Sequence, residues 1–539
     1  MTIQQKHCSI LNDVLGPVMR GPSSSHSAAP YAIARMCRQL SLSDGERIAQ
    51  AVVRFDYDGS FAQVHTEQGS DEGFAAGFMG INMCSPEYLE ALNTLALPGA
   101  PFEFRVEICS LKQIDHPNLV EIVLTCRGTA SERTDRYLAV STGGGAFRIL
   151  QWNTRPVDID GSTFVLMIEC SEPVSGQEIL ARMGIADLLI GDLPDNSQAS
   201  AWWLFRTRQK LTPEERNRFS HWPPVMRIRE AAPSQLLMAG TEPLFRSGKE
   251  VLALCLGSTL PEIAVRYESL LSGLPAKTIE EIFTQRTQLL LNIVEESLAR
   301  NVAGVKYKFL QPTARKIFES QSAMALTGKP IHFAVCGALA VMETSLMRGV
   351  VCACPTAGSA GILPGCLYSL KQSGYSLERL TDALKVAGLV GVIIGIRGTF
   401  AAELAGCMVE TGTAAAMAAA GIAHAANASP DTVFRAATIC LMNTLGLVCD
   451  PIGGEVEVPC HARNIGGVGH AFVAASSALG GFNSFVPFDE VVDTTLKIGE
   501  CLPSDLRCTC RGGLATTPTA LSALGKMGKN VLSNTKSGE

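Results

Sequence analysis

Charge and aromatic surface are both scarce in this chain. Of its 539 residues, 18% are charged and 6% aromatic, and 4 are tryptophan. The 45 lysines and arginines are outnumbered by 51 aspartates and glutamates, for a net charge of −6. No basic face therefore recommends nucleic acid as a partner. Long apolar runs are missing too. The most tempting one, Val386 to Ile396 between Lys385 and Arg397, falls far short of the roughly 20 residues that a bilayer span needs. It reads as a buried helix, and no membrane partner is expected. Met1 to Lys6 leads into no apolar signal segment, which removes the usual reason to read 18 cysteines as disulfides. Reduced thiols in a cytoplasmic protein are the expectation.

What the chain has in quantity is small apolar residues. Hydrophobic residues make up 47% and glycine alone contributes 50 positions. Its length allows two to four domains, each able to bury a core. The first reads as residues 1–160. Ala51 to Tyr57, Phe104 to Ile108 and Val120 to Leu124 alternate as strands. A helical pattern through Ala28, Ala29, Ala32, Ile33 and Met36 follows the run Ser23-Ser24-Ser25. Serines at a helix start cap backbone N–H groups, and the same groups can bind a carboxylate. Both readings stand. Residues 161–232 read strand, helix, strand, strand, helix, strand: Phe164–Cys170, Gly176–Met183, Ala186–Ile190, Ala199–Arg206, Pro213–Phe219 and Val225–Ile228. A linker at Ala231-Ala232-Pro233-Ser234 precedes a mostly helical domain to about residue 525, with helical spacing over 234–256, 258–273 and 277–302. A polar tail, 526–539, ends the chain. The fold class is α+β multidomain.

Chemistry concentrates between Cys407 and Cys460. The stretch contains Gly406-Cys407, Cys449-Asp450-Pro451 and Pro459-Cys460-His461-Ala462-Arg463-Asn464. None of the three cysteine pairs is a C-x-x-C, so thioredoxin-like exchange and zinc-ribbon spacing fit poorly. Three thiolates from separate segments suit an iron–sulfur cluster. A cubane held at three corners would leave one iron open as a Lewis acid. Cysteine also packs commonly as a small buried hydrophobe, and spacing alone leaves both readings open.

Those three motifs resemble the cluster-ligand motifs of the iron–sulfur L-serine dehydratases. Gly21-Pro22-Ser23-Ser24-Ser25-His26-Ser27 resembles the family's N-terminal signature, and His116-Pro117-Asn118 a second stretch of the same domain. Pro355 to Gly361 resembles the loop opening the cluster domain, and Arg511-Gly512-Gly513-Leu514-Ala515 the C-terminal Gly-Gly-Leu-Ala. The resemblance implies an N-terminal α/β domain of the beta type, a small ferredoxin-like ACT-type unit and a helical alpha-type cluster domain. It implies a [4Fe-4S] cluster held by Cys407, Cys449 and Cys460, acting on a small amino-acid substrate. His26 would handle the proton, with His116 in reserve. Ser23, Ser24 and Ser25, with Thr356, Gly358 and Ser359, would hold carboxylate and amine. Asn118, Arg463 and Asn464 would order the walls. A homodimer is the expected assembly.

Three positions depart from the family. Gln68 stands where a histidine is usual, Met408 where a glutamine is usual, and Cys508 in Arg507-Cys508-Thr509 where a glutamate is usual. Glutamine cannot titrate near neutrality. The charge lost at Cys508 would have to come from elsewhere, with Glu403 and Glu410 as candidates. The departures motivate three alternatives: a lyase of the same fold acting on another small β-substituted acid, an amino-acid-binding homologue without turnover, and a structural zinc–thiolate protein. Cys352, Cys354 and Cys366 flank the Pro355 loop as lesser ligand candidates. His424 and His461 are expected to be core histidines without a role.

Overall fold

The computed structural model describes residues 8–43, 45–128, 132–183, 188–189, 199–238, 242–302 and 304–527. The tail from 528 and most of the expected strand Ala186–Ile190 lie outside the described residues. The architecture is mixed helix and sheet, as the alternation and helical spacing predict.

Six strands, Arg47–Asp56, Glu103–Cys109, Leu119–Arg127, Glu132–Gly143, Ala146–Trp152 and Arg155–Ile159, form one sheet in the order second–first–third–fourth–fifth–sixth. The first two are parallel, and every other pair is antiparallel. The period-two pattern explains which face is covered. Ala51, Val53 and Phe55 pair with Leu124, Ile122 and Val120, and all six are fully buried. The helices Ala29–Ser41 and Ser70–Met79 pack there.

A second, four-stranded antiparallel sheet comprises Phe164–Ser175, Leu188–Leu189, Ala199–Thr207 and Val225–Ala231, ordered fourth–first–third–second. With helices Gly176–Met183 and Pro213–Ser220 it makes the split βαβ arrangement. Its own core contains Leu166, Ile168, Trp203, Phe205, Phe219 and Trp222. Thr212 and Glu215 close a capping box at the start of Pro213–Ser220, with proline at the first helical position. Buried Arg229 ties the two sheets together, reaching Asp135 at 3.2 Å and the Leu40 carbonyl at 3.1 Å.

The remainder is helical. Thr413–Ala425 lies at its centre, wrapped by Leu377–Arg397, Pro430–Met442 and Cys460–Leu479. Every residue of Thr413–Ala425 is buried except His424, which is half-buried. Alanine side chains let neighbouring helices close in at the density of a protein interior. Gln321–Leu346 is long and apolar enough to cross a bilayer by composition alone. It breaks at Gly328, and most of its second half, from Ala334 to Ser345, is buried in the core. The expected helix 234–256 is the main discrepancy, because only Gly248–Leu254 is helical there. The described residues ahead of it form an irregular, bent loop. Leu236 N–H donates to Asn12 Oδ1 at 3.0 Å, a contact that apolar spacing cannot reveal.

The two ends of the chain interlock. Residues Ile10–Val14 pack against helix Leu377–Arg397. Buried Glu268 accepts from Ser9 Oγ and from the Ile10 N–H. Val18–Arg20 then pairs antiparallel with Val350–Cys352. That short ladder sets the serine-rich loop after Arg20 against the loop after Cys352, which are more than 300 residues apart in sequence. The candidate site is built at this crossing.

Candidate active site and metal centre

Ser23 caps a tight turn over Ser24–Ala28, its Oγ accepting from the His26 N–H at 3.2 Å. Ser24 Oγ accepts from the Ala357 N–H at 3.3 Å, so the two signature loops touch. Ser25 Oγ donates to Glu403 Oε1 at 3.0 Å and lies 2.9 Å from His26 Nδ1. His26 Nε2 lies 3.0 Å from Ser60 Oγ. Counting donors assigns the tautomer. The Ser25 hydroxyl hydrogen is committed to Glu403, so His26 Nδ1 carries the proton and Nε2 accepts from Ser60. His26 is fully buried. Burial holds its imidazole below the ordinary 6.5, partly offset by the Glu403 carboxylate, so the ring is neutral near pH 7.

His116 Nδ1 accepts from the Asn118 N–H at 3.1 Å, leaving the proton of the neutral ring on Nε2. Burial keeps this histidine low as well. Asn118 is 1% exposed; its Nδ2 donates to the Ser141 carbonyl at 3.4 Å, while its Oδ1 has no protein partner. In the Pro355 loop, Thr356 Oγ1 and Ser359 Oγ are 3.1 Å apart, and Ser359 also donates to the Cys354 and Thr356 carbonyls. Asn464 fastens this loop to the helix Cys460–Leu479. Its Nδ2 donates to the Gly358 and Cys460 carbonyls at 2.8 and 2.9 Å, and its Oδ1 accepts from the Gly361 N–H at 3.1 Å.

The cysteines converge beside this network. Cys407 Sγ, Cys449 Sγ and a Glu410 oxygen lie within 4.8 Å of one another. Cys508 joins Cys407 and Cys449 in one buried cluster. Cys460 begins the helix Cys460–Leu479 and stands outside that tight group, close enough to feel the charges of Cys407, Glu410 and Cys508. Gly406 permits the approach. Its φ is +72°, and a Cβ there would meet the Leu447 carbonyl at 2.7 Å.

Arg463 is the local cation. It donates to Cys407 Sγ at 3.2 Å and to Asp450 at 2.6 Å. A hydrogen bond from Cys449, helped by Arg463, brings the Cys407 thiol down to about 7 against the opposing effect of burial. Cys449 is held high by its hydrogen bonds to Cys407 and Cys508, and Cys460 by burial. Burial, with Cys407 and Glu403 nearby, raises the Glu410 carboxyl well above its ordinary value, beside Cys407. This buried set of soft sulfur donors with one guanidinium fits a thiolate-bound metal cofactor. Cys352 and Cys354 hydrogen-bond each other, and Cys366 lies beside Cys440; these thiols partner one another away from the Cys407 group.

A cavity of about 1110 Å³ opens between the six-stranded sheet with its loops and the helical region. Ser60, His116 and Glu403 line one part, while Arg397, Arg507 and Arg511 supply positive charge. Ser60 and Glu403 therefore connect the cavity to His26. Sequence pattern gives Ser60 no role, and it marks Glu403 only as a candidate source of the charge lost at Cys508.

The family departures fall into different classes. Gln68 is buried and donates to the Gly454 carbonyl at 3.0 Å, tying the first domain to the loop ahead of Cys460. His65 pairs with Asp71 at 2.8 Å. Met408 packs with Ala405 and Val409, and its sulfur accepts from the Gly446 N–H. Cys508 alone enters the thiol cluster.

The serine dehydratase alpha chain family model matches residues 181–515, more than half of the chain. The chain belongs to this family. The probable L-serine dehydratase alpha chain of Bacillus subtilis is 40% identical over 247 residues, covering 45% of this chain and 82% of that protein. The L-serine dehydratase alpha chain of Peptoniphilus asaccharolyticus is 35% identical over 248 residues, covering 45% and 85%. L-serine dehydratase 1 of Escherichia coli is 33% identical over 282 residues, covering 50% and 61%.

His461 has no catalytic geometry in this member of the family. It is 3% exposed, packs edge-on to Tyr307, and its Nε2 lacks a protein partner. Burial lowers its imidazole from 6.5 to about 4. The unfolded chain then binds a proton that the folded chain refuses, so stability present above pH 6.5 is lost as pH falls towards 4. The loss amounts to roughly 3 kcal/mol at most. Denaturant titrations across that window should show His461→Asn losing less stability on acidification than the unaltered protein. Equal losses would refute a buried neutral His461.

Proposed function

We propose that the chain is an iron–sulfur lyase converting L-serine to pyruvate and ammonia. The observation that carries this is the buried group of Cys407, Cys449 and Glu410, with Arg463 on Cys407, in a protein whose Ser60–His26–Ser25–Glu403 chain reaches a cavity through Ser60 and Glu403 and whose relatives are named L-serine dehydratases.

When bound by Cys407, Cys449 and Cys460, a [4Fe-4S] cluster supplies a Lewis-acidic iron for the departing hydroxyl. The protein supplies the rest. Arg507 and Arg511 are the cavity arginines open to a substrate carboxylate, since Arg397 is held by Asp493 and Asp56, Asp58, Asp115 and Glu500 line other parts of the wall. Ser60 sits at the cavity wall and passes the α-proton to His26 Nε2, the basic nitrogen of the neutral ring. Ser25 and Glu403 receive the resulting imidazolium, since Glu403 lies 3.6 Å from Nδ1. The hydroxyl leaves the β-carbon as water once it gains a proton, and Glu410, beside Cys407 and raised by burial, is the acid assigned to supply it. The released enamine tautomerises and hydrolyses to pyruvate and ammonia. His116, with its proton on Nε2, serves as a donor in this scheme rather than as the base. A cytoplasmic homodimer with the split βαβ unit as an ACT-type assembly module completes the reading.

The test is anaerobic purification, quantification of iron and sulfide, and measurement of pyruvate on addition of L-serine. Stoichiometric iron and sulfide with pyruvate formation are expected. Cluster-loaded protein that turns over another β-substituted acid and leaves serine untouched would move the reading to that acid.

A further inference from the structure

A second cavity, of about 230 Å³, lies where the six-stranded sheet meets the four-stranded one. Strands Glu132–Gly143 and Ala146–Trp152 of the first sheet contribute to its wall, as do Phe164–Ser175, Ala199–Thr207 and Val225–Ala231 of the second. It shares no lining residue with the large cavity that Ser60 and Glu403 reach.

Positive charge is in excess there. Arg133, Arg155, Arg227 and Arg229 line the cavity against Asp135 and Glu169. Glu46 accepts from Arg133 Nη1 at 2.5 Å, and with it counted the four guanidiniums still face only three carboxylates. Asp135 is divided among several donors: Arg229 at 3.2 Å, Arg133 at 3.4 Å and the Trp152 indole N–H at 3.2 Å. Glu169 is taken by Arg227 at 2.8 Å.

Two of the guanidiniums are incompletely bound. Arg133 Nη2 and Arg229 Nε are buried without a hydrogen-bond partner, and Arg229 as a whole is 4% exposed. A buried charged donor left unpaired is destabilising, and native structures seldom contain one. Burial, with the charges of Arg133 and Arg227 adding to it, holds the Arg229 guanidinium below its ordinary value against the pull of Asp135. Apolar surface stands beside these donors. Trp152 and Trp202 both line the cavity, their rings 5.5 Å apart and nearly perpendicular, and Met167 joins them. Guanidinium forks match a carboxylate, and indole faces suit a short carbon chain.

We propose that this cavity binds a small organic monocarboxylate, whose oxygens are taken by Arg133 and Arg229 and whose carbon body packs on Trp152 and Trp202. The surplus of one positive charge sets the charge of the ligand. The volume equals that of several water molecules at about 30 Å³ each, too little for a nucleotide or a peptide. Arg133 stands on the first sheet and Arg229 on the second, so a carboxylate held by both fastens the split βαβ unit to the N-terminal domain.

Tryptophan fluorescence reads this site selectively. Of the 4 tryptophans, Trp152 and Trp202 line this cavity, Trp203 and Trp222 lie in the core of the split βαβ unit, and none lines the large cavity. The anaerobically purified protein is titrated with sodium propionate and, separately, with sodium phosphate, with ionic strength held constant by sodium chloride. Propionate should give a saturable change in emission and a thermal midpoint that rises with its concentration. Arg133→Gln, and Arg229→Lys, which keeps the charge but loses the fork, should each raise the half-saturating concentration about tenfold or more. A propionate titration without saturation would overturn the proposal, and so would a half-saturating concentration unchanged in both variants. Saturation by phosphate alone would overturn the carboxylate assignment in favour of an inorganic anion. Should Arg133→Gln fail to fold, Arg229→Lys carries the comparison. Each of these outcomes leaves the lyase reading untouched, because the two cavities are separate.

Discussion

Cys449→Ser is expected to abolish the metal centre and the activity together. Cys449 touches both Cys407 and Cys508 through its sulfur and carries Asp450, the partner of Arg463, as its neighbour. A serine hydroxyl fills nearly the same space but is a hard, weakly ionised donor that soft iron sites do not favour. Bound iron and sulfide should fall to less than about a tenth of the unaltered protein, because a ligand is removed outright and even outer-shell changes cost 10–100-fold. Losing several kcal/mol of Lewis-acid assistance corresponds to a fall in serine turnover of about a thousandfold or more. Circular dichroism should stay unchanged, since the helical frame packs in a core cluster separate from that of Cys407 and Cys449. Cys366→Ser, at an equally buried thiol beside Cys440, should retain full iron. Cys449→Ser protein that keeps its iron and turns over serine would remove the cysteine cluster from the chemistry.

The second large effect concerns His26. His26→Asn should lower kcat by roughly 10²–10⁴-fold while changing KM little, the usual cost of removing a positioned base. In the unaltered enzyme, activity requires neutral His26, whose burial holds it below 6.5. The acid limb of kcat/KM should therefore lie below pH 6.5, with activity lost as pH falls through it. Glu403 works against burial by raising His26, so Glu403→Gln should move the limb to still lower pH. A limb that stays in place in Glu403→Gln, or survives in His26→Asn, would assign it to another group. Ser60→Ala should also reduce kcat, because the buried ring reaches the cavity through that hydroxyl.

The departures from the family illustrate how far residue identity alone can mislead. Gln68, Met408 and Cys508 read as one group of altered site residues. In space, Gln68 is a tether to Gly454 and Met408 is core packing. Only Cys508 lies in the thiol cluster itself.

Local pattern determined a good deal by itself. Alternating apolar residues set the strands at Arg47–Asp56 and Leu119–Arg127, because a period of two admits one buried face. The order of elements from Phe164 to Ile228 was equally legible, since it follows from short-range spacing. The cysteine motifs and the serine-histidine signature marked where chemistry concentrates. Tertiary structure decided the partners. That Ser25 meets Glu403, that Ser24 meets Ala357, and that Cys508 closes on Cys449 all depend on chain crossings across more than 50 residues. Spacing carries no record of such contacts: they are fixed by the Val18–Arg20 ladder to Val350–Cys352 and by the glycines that let backbones approach. The bent loop ahead of Gly248 departs from its helical spacing for the same reason, because the Leu236 backbone is satisfied by Asn12, far away in sequence.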